Sequence, residues 1–573
     1  MEDLSGGYLT TEYEDRLDKA SVHSYYPRPS MVRDSFLSLN GEWELSVCRE
    51  GEEPEYLDRI LVPFPLESRL SGYGKCVSKG SVIHYRRKVR LPLELRGGTL
   101  LLHFGAVDTL CRVAVNGRTV GEHEGGYLPF SCDITEAVGC EDEFLLSVTV
   151  RDELDKKYPY GKQRRDRGGM WYTPVSGIWQ SVWLERVPEV YVERLKITPT
   201  VDYATVEVFG GSEEKLLILE DGREYRFTGN SVTVSPIDPI CWTPENPHLY
   251  RFTLKSGEDE VRSYFALREV GCASFDGVPR LTLNGEPYLF NGLLDQGYYP
   301  DGIFLPATED GYRDDILRMK ELGFNTLRKH IKIEPEIFYY LCDTLGMAVF
   351  QDAVNNSDYS FLLDTALPTI GLKRMPDKFR HKSEENREEF IKTMLGMMEH
   401  LYNFPSVVYY TVFNEGWGQF CADECFRLAK NADGTRIIDA TSGWFTQKES
   451  DVDSRHIYFK KIKMGKASSR PIVISEFGGY SYRVKGHLFG EDNYGYRNMK
   501  TREELEDCFV RLYEDEIEPL IPLGISALIY TQLSDVEDET NGILTYDRRV
   551  RKLDRGRIRP LMERLNKLVK EQK

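Results

Sequence analysis

The stretch VVYYTVFNEGWGQF at residues 407–420 opens with an unbroken apolar run, then sets Asn414 beside Glu415 just before Gly416 and Gly418. A continuous run of that length bounded by turn residues reads as a strand buried on both faces. Burying an ionised carboxylate costs several kcal/mol unless it is paired or used, so a glutamate at the mouth of such a strand points to chemistry. PIVISEFGGY at 471–480 repeats the arrangement, with Ile472, Val473 and Ile474 leading to Glu476 and then Gly478 and Gly479.

Further strand-like runs are interleaved with helical patterns from residue 274 onward: PYLFNGLLDQ, FNTLRKHI, MAVFQDA, TRIIDATSG, HIYF and ISALIYTQL. A helix is predicted over 309–322, with Tyr312, Ile316 and Met319 on one face and Gly323 closing it, and another after Pro335 with Phe338, Leu341 and Leu345 inward. Eight β-then-α units make a (β/α)8 barrel, whose active site lies at the C-terminal ends of the strands. Glu415 then ends strand 4 and Glu476 ends strand 7, at the same mouth.

The N-terminal half has another rhythm. Short alternating runs separated by turn residues predict a β jelly roll over 1–188, and Val113, Val115 and Val120 flank Asn116-Gly117, the strongest short hairpin signal. Strands such as ATVEVFG and LYRFTLKSG predict an immunoglobulin-like sandwich over 189–273, leaving 274–573 for the barrel. A chain of 573 residues is too long for one core, and three domains fit it.

The formal net charge of -18 opposes a polyanionic partner, so nucleic-acid binding is not expected. No run of about 20 apolar residues is present to span a bilayer. The acidic N-terminus lacks the pattern of a signal peptide, which makes the cytoplasm the expected compartment. The 11 cysteines give no disulfide framework, and Cys421 and Cys425, one helical turn apart, read as ordinary thiols.

Retaining cleavage of a glycosidic bond needs one carboxylic acid to protonate the leaving oxygen and one carboxylate to attack the anomeric carbon, about 5–5.5 Å apart. Glu415 and Glu476 at facing strand ends supply that pair, and Asn414 can hydrogen-bond the sugar 2-hydroxyl. FNEG and SEFGG resemble the acid/base and nucleophile motifs of glycoside hydrolase family 2, which includes β-galactosidases, β-glucuronidases and β-mannosidases. NGEWEL, HEGGYLPF and TPVSGIWQSVWLE are similar to its N-terminal sugar-binding jelly roll, SYFALREV to the end of its immunoglobulin-like domain, and YTQLSDVEDETNGILTYDRR to the end of its barrel.

The resemblance implies Glu415 as acid/base and Glu476 as nucleophile, with Tyr458 on strand 6 holding the nucleophile. Relatives carry a substrate-binding histidine after strand 2; here that pattern is shifted by one residue, so His330, and after it Lys332, is implied as a substrate contact, and Tyr530 stands on strand 8 where the family often has a tryptophan floor. Asp295 and Asp301 after strand 1 can bind hydroxyls or shape a turn, and Trp444 after strand 5 can stack on sugar. Where several relatives send a jelly-roll aspartate into the site this chain has GGMWYTPVSGIW, so Trp171 or Tyr172 is expected there.

β-Glucuronidases of the family read the sugar carboxylate with Asn-x-Lys-Gly after strand 8. Aligned on Gly542, this chain has Glu539 and Asn541 at the asparagine and lysine positions. The reading is therefore a retaining exo-β-glycosidase of β-galactosidase type acting on a glycoside or oligosaccharide. A β-hexuronidase with a clamp from Arg328 or Lys332, an arabinopyranosidase, and an inactive carbohydrate-binding protein are the alternatives. No His/Cys/Asp cluster at ligand spacing is seen and no cofactor is required; magnesium, used by some relatives, and a homo-oligomer stay open.

Overall fold

The computed structural model describes residues 9–369, 376–378, 380–463 and 468–570. Two antiparallel sheets form the jelly roll. One has four strands, in the order Phe36–Ser38, Val182–Val187, Thr99–Phe104 and Phe130–Asp133. The other has six and contains Gly41–Arg49, Ser81–Arg90 and Glu143–Arg151 at its centre. Trp43, Leu102, Phe104, Val113, Leu146 and Val148 alternate inward to fill the space between them. The Asn116-Gly117 pair joins Leu110–Val115 to Arg118–Glu124, and both residues have positive φ (50° and 80°), as a type I′ turn requires.

Sheets of three and four antiparallel strands form the following sandwich around Val206, Leu217, Phe252, Leu254 and Val261. Two strands, Val270–Phe275 and Val278–Leu283, then lead to the barrel and place Leu281 and Leu283 against its interior residues.

The barrel strands are β1 (Phe290–Asp295), β2 (Thr326–Lys329), β3 (Ala348–Asp352), β4 (Val407–Asn414), β5 (Ile437–Ser442), β6 (Asp453–Ile457), β7 (Ile472–Gly478) and β8 (Ile525–Thr531). They form one eight-stranded parallel sheet ordered β5-β4-β3-β2-β1-β8-β7-β6. The predicted helices stand at Asp310–Leu322, capped by Gly323 at φ 93°, and at Glu336–Leu345, preceded by Pro335. Helices also follow β3, β4, β7 and β8, but among the described residues none follows β5 or β6. The ten residues between β5 and β6 are too few for a helical crossover, which takes a dozen or more. Strand β6 ends at Ile457, so Tyr458 stands just beyond it rather than on it. Among the described residues no helix is long and apolar enough to cross a membrane.

Candidate active site

Alternation along a strand decides which side chains enter the barrel. Phe290, Leu294, Phe350, Tyr409, Val473, Ala527 and Ile529 pack together inside. Above that layer the polar residues of the mouth converge. Arg328 lies fully buried on β2, sending Nε to Asp352 (3.0 Å), Nη1 to Glu476 Oε1 (3.1 Å) and Nη2 to Asn414 Oδ1 (2.9 Å). Tyr458 donates to the other Glu476 oxygen at 2.6 Å and lies 2.8 Å from the Thr531 hydroxyl. Burial and then the charge of Glu476 hold the Tyr458 phenol well above its ordinary pKa, so it stays a donor. One oxygen of Glu476 thus faces a guanidinium and the other a phenol, and the carboxylate is locked in one orientation.

Glu415 follows β4 with φ of 53°, in the left-handed region, where a non-glycine residue costs on the order of 1–3 kcal/mol. Its N–H bonds Ser442 O at 2.9 Å, which ties the turn to β5. Oxygens of Glu415 and Glu476 and a nitrogen of His456 all lie within 4.8 Å of one another. His456 Nδ1 is 2.7 Å from Glu415 Oε1 and 3.5 Å from Glu476 Oε2. This is the only group among the described residues with three His/Cys/carboxylate atoms close enough to share a cation. Its atoms are engaged with one another, with Tyr458 and Arg328, and with Ser442 at His456 Nε2 (2.7 Å).

His330 is buried, with Nδ1 at 2.9 Å from Gln296 Oε1 and Nε2 at 3.8 Å from Glu476 Oε1. Burial, then the charges of Lys162 and Arg328, push it well below its ordinary pKa, so the ring is neutral. Nδ1–H donates to Gln296, and Nε2, which has no hydrogen-bond partner, is an acceptor beside Glu476. Trp444 meets the His456 ring edge-on at 5.5 Å and donates Nε1 to Asp364 O at 3.2 Å.

The other expected contacts lie elsewhere. Tyr530 alternates with the inward Ile529, so its ring turns outward and packs edge-on against Phe509 (4.9 Å) and Phe477 (5.7 Å). Asp295 also turns outward and bonds Lys329 Nζ at 2.6 Å. Burial alone would raise its pKa, but Lys329 holds it below the ordinary value. Lys332 gives its three donors to Gly297 O, Phe304 O and Glu334, so neither it nor Arg328 is available as a carboxylate clamp. Asp301 receives Thr11 N at 2.9 Å and serves the N-terminal segment.

Jelly-roll residues 160–173 wall the mouth, anchored by Tyr160 N to Asn355 O (3.0 Å) and Thr173 N to Glu537 Oε1 (2.8 Å). Trp171 packs edge-on against Trp417 (5.1 Å) and Tyr359 (5.0 Å), while Tyr172 donates to Glu539 at 3.0 Å. Both expected substitutes therefore reach the barrel. Gln532 links Gln296, Glu539 and Asn541. Burial raises the Glu539 carboxyl to about 7 against the field of Lys162, and the charge of Glu476 adds to the rise. His456, Gln532 and Lys162 were missed in the sequence. For His456 the signal was its place two residues before Tyr458; for Lys162 there was none beyond a basic run in a loop.

Two family models match the chain: the sugar binding domain of glycosyl hydrolases family 2 over 75–188 and the TIM barrel domain of the same family over 280–518. A β-galactosidase of Thermoanaerobacter pseudethanolicus is 28% identical over 296 residues, 47% of this chain and 39% of that protein. A β-galactosidase of Aeromonas hydrophila is 25% identical over 570 residues, covering 87% and 51%. The chain spans about half the length, or less, of these curated relatives. Among solved structures, a β-D-glucuronidase of Dictyoglomus thermophilum superposes with TM-score 0.72 at 18% identity over 95% of this chain and 98% of that one. A β-galacturonidase of Eisenbergiella tayi gives 0.66 at 19% over 93% and 97%. With both signature domains matched in the family's order, the chain belongs to glycosyl hydrolases family 2.

Proposed function

We propose that this chain is a retaining exo-β-glycosidase acting by double displacement. The observation that carries the reading is the approach of Glu415 and Glu476 to within 4.8 Å. That fits a nucleophile and an acid/base that share one sugar, whereas inverting enzymes need about 6.5–9.5 Å to admit a water. Glu476, oriented by Tyr458 and Arg328, attacks the anomeric carbon as Glu415 protonates the departing oxygen. Glu415, now a base, then takes a proton from the water that releases the sugar. Asn414, fixed by Arg328, and the acceptor Nε2 of His330 meet sugar hydroxyls. None of these steps draws on a metal. A 2-deoxy-2-fluoro glycosyl fluoride should label Glu476 covalently, because the fluorine slows turnover of the glycosyl-enzyme; peptide mapping of the label to another residue would exclude the assignment.

For the sugar, the reading is a neutral β-galactoside, supported by Glu539 at the barrel mouth and by the internal engagement of Arg328 and Lys332. A second reading, a β-hexuronide, is favoured by Lys162, whose charge reaches both His330 and Glu539. Values of kcat/KM on matched nitrophenyl galactoside, glucuronide and galacturonide separate them: a tenfold preference for a uronide would overturn the neutral-sugar reading.

A further inference from the structure

His456 is wedged between the two catalytic carboxylates, and its side chain is completely buried. Behind it lies a line of hydroxyls. Nε2 is 2.7 Å from Ser442 Oγ, Ser442 donates to Ser475 Oγ at 3.0 Å, and Ser475 and Ser454 are 2.7 Å apart. Ser454 in turn stands near the buried Asp439 carboxylate, which accepts from Tyr409 at 2.9 Å. The members sit on three neighbouring strands: Asp439 and Ser442 on β5, Ser454 and His456 on β6, Ser475 on β7.

Ser442 gives its one hydroxyl proton to Ser475, so the Ser442 oxygen presents a lone pair to Nε2. The proton of a neutral His456 is thereby placed on Nε2, and Nδ1 becomes an acceptor aimed at Glu415 Oε1. The placement is built into the backbone, because a Cβ on Gly443 would stand 2.7 Å from the ring's Cγ and Nδ1.

We infer that His456 is a positioning residue for the acid/base: its Nδ1 accepts from protonated Glu415, and Ser442, which donates to Ser475, fixes the tautomer that makes this possible. The inference rests on the double-displacement reading above and deepens it. Glu415 carries a single proton: His456 Nδ1 holds it until substrate binds and so keeps the carboxyl protonated, and the same proton then leaves Nδ1 for the departing oxygen as the glycosidic bond breaks. The charged or titratable groups facing His456 are Glu415, Glu476, Tyr458, His330 and Arg328, with Asp439 at the far end of the line.

The test is the pH profile of kcat/KM for His456→Asn, His456→Leu and Ser454→Ala, each on a glycoside with a poor leaving group and on a dinitrophenyl glycoside. His456→Asn should lower kcat/KM on the poor leaving group by about 10²-fold and change the dinitrophenyl rate by only about threefold, within the span of general acid catalysis. The basic limb of its profile should move to lower pH. Asn, with an amide near the Nδ1 position, should retain more activity than Leu. Ser454→Ala, which leaves His456 in place and removes the hydroxyl beside Ser475, should move the limb the same way by less. Covalent labelling of Glu476 in each variant shows that fold and nucleophile survive. Equal losses on both substrates with unmoved limbs would overturn the inference and leave His456 as packing between β5 and β6. A wild-type protein that hydrolyses neither substrate and takes no label would instead overturn the underlying mechanism.

Discussion

At Glu415 a left-handed backbone turn brings the carboxyl within reach of Glu476, beside the imidazole of His456. The two roles proposed for it, acid and then base, give a signature that a structural role lacks. Glu415→Gln cannot donate a proton, so substrates with poor leaving groups should slow by about 10²–10⁴-fold while activated aryl glycosides slow far less in their first step. A Brønsted plot of rate against leaving-group pKa measures this, and equal losses across the series would argue that Glu415 only supports the fold. Arg328 presents the opposite case. It touches Glu476, Asn414 and Asp352 at once, and removing it would leave buried carboxylates uncompensated, which costs about 3–5 kcal/mol.

Among the elements, the jelly roll carries a buried acidic group of its own next to the segment that reaches the barrel. Glu67 accepts Ser176 N at 2.9 Å, and Ser176 Oγ donates to Asp152 at 2.8 Å. Burial raises Glu67 from 4.5 to about 8, and burial together with the charge of Asp152 raises Asp108 to about 8. A carboxyl whose pKa is higher in the folded state than in the unfolded one binds more protons when folded. The stability it contributes is full below about pH 4.5 and is lost as pH rises through about 8. Glu67→Gln keeps an acceptor for Ser176 N and has no charge to bury. Its Tm should therefore fall less between pH 5 and pH 8 than the wild-type Tm, as thermal melts at the two pH values would show. Parallel wild-type and variant curves would exclude Glu67 as a source of the dependence.

On the scale of the whole molecule, two domains meet at the barrel mouth. The barrel provides Glu415, Glu476, His330 and Glu539, and the jelly roll provides Tyr172, Trp171 and Lys162. Like charges at 4 Å repel by roughly 4 kcal/mol at an effective dielectric near 20, so ionised Glu539 opposes a sugar carboxylate by up to about three decades in binding. Lys162 works in the other direction. Lys162→Met should leave galactoside cleavage within about tenfold and reduce any uronide cleavage further, so that the galactoside-to-uronide ratio of kcat/KM rises, as expected for removal of an opposite charge. A ratio that falls in the variant would show that Lys162 does not favour the anionic sugar.

The order of elements, the two glutamates at the strand ends and the Asn-Gly hairpin follow from local patterns, because hydrophobic period, turn chemistry and a carboxylate at the end of an apolar run are all written in neighbouring residues. Side-chain direction was partly legible. The period of two that puts Arg328 inside also turns Lys329, Asp295 and Tyr530 outward, but at a strand end the phase is set by neighbouring strands through register. What tertiary structure alone decided is the company each group keeps. His456 meets Glu415 from 41 positions away, Tyr172 meets Glu539 from 367, and Arg328 meets Glu476 from 148. Such contacts depend on barrel curvature and on how the jelly roll docks, and no local sequence pattern encodes either.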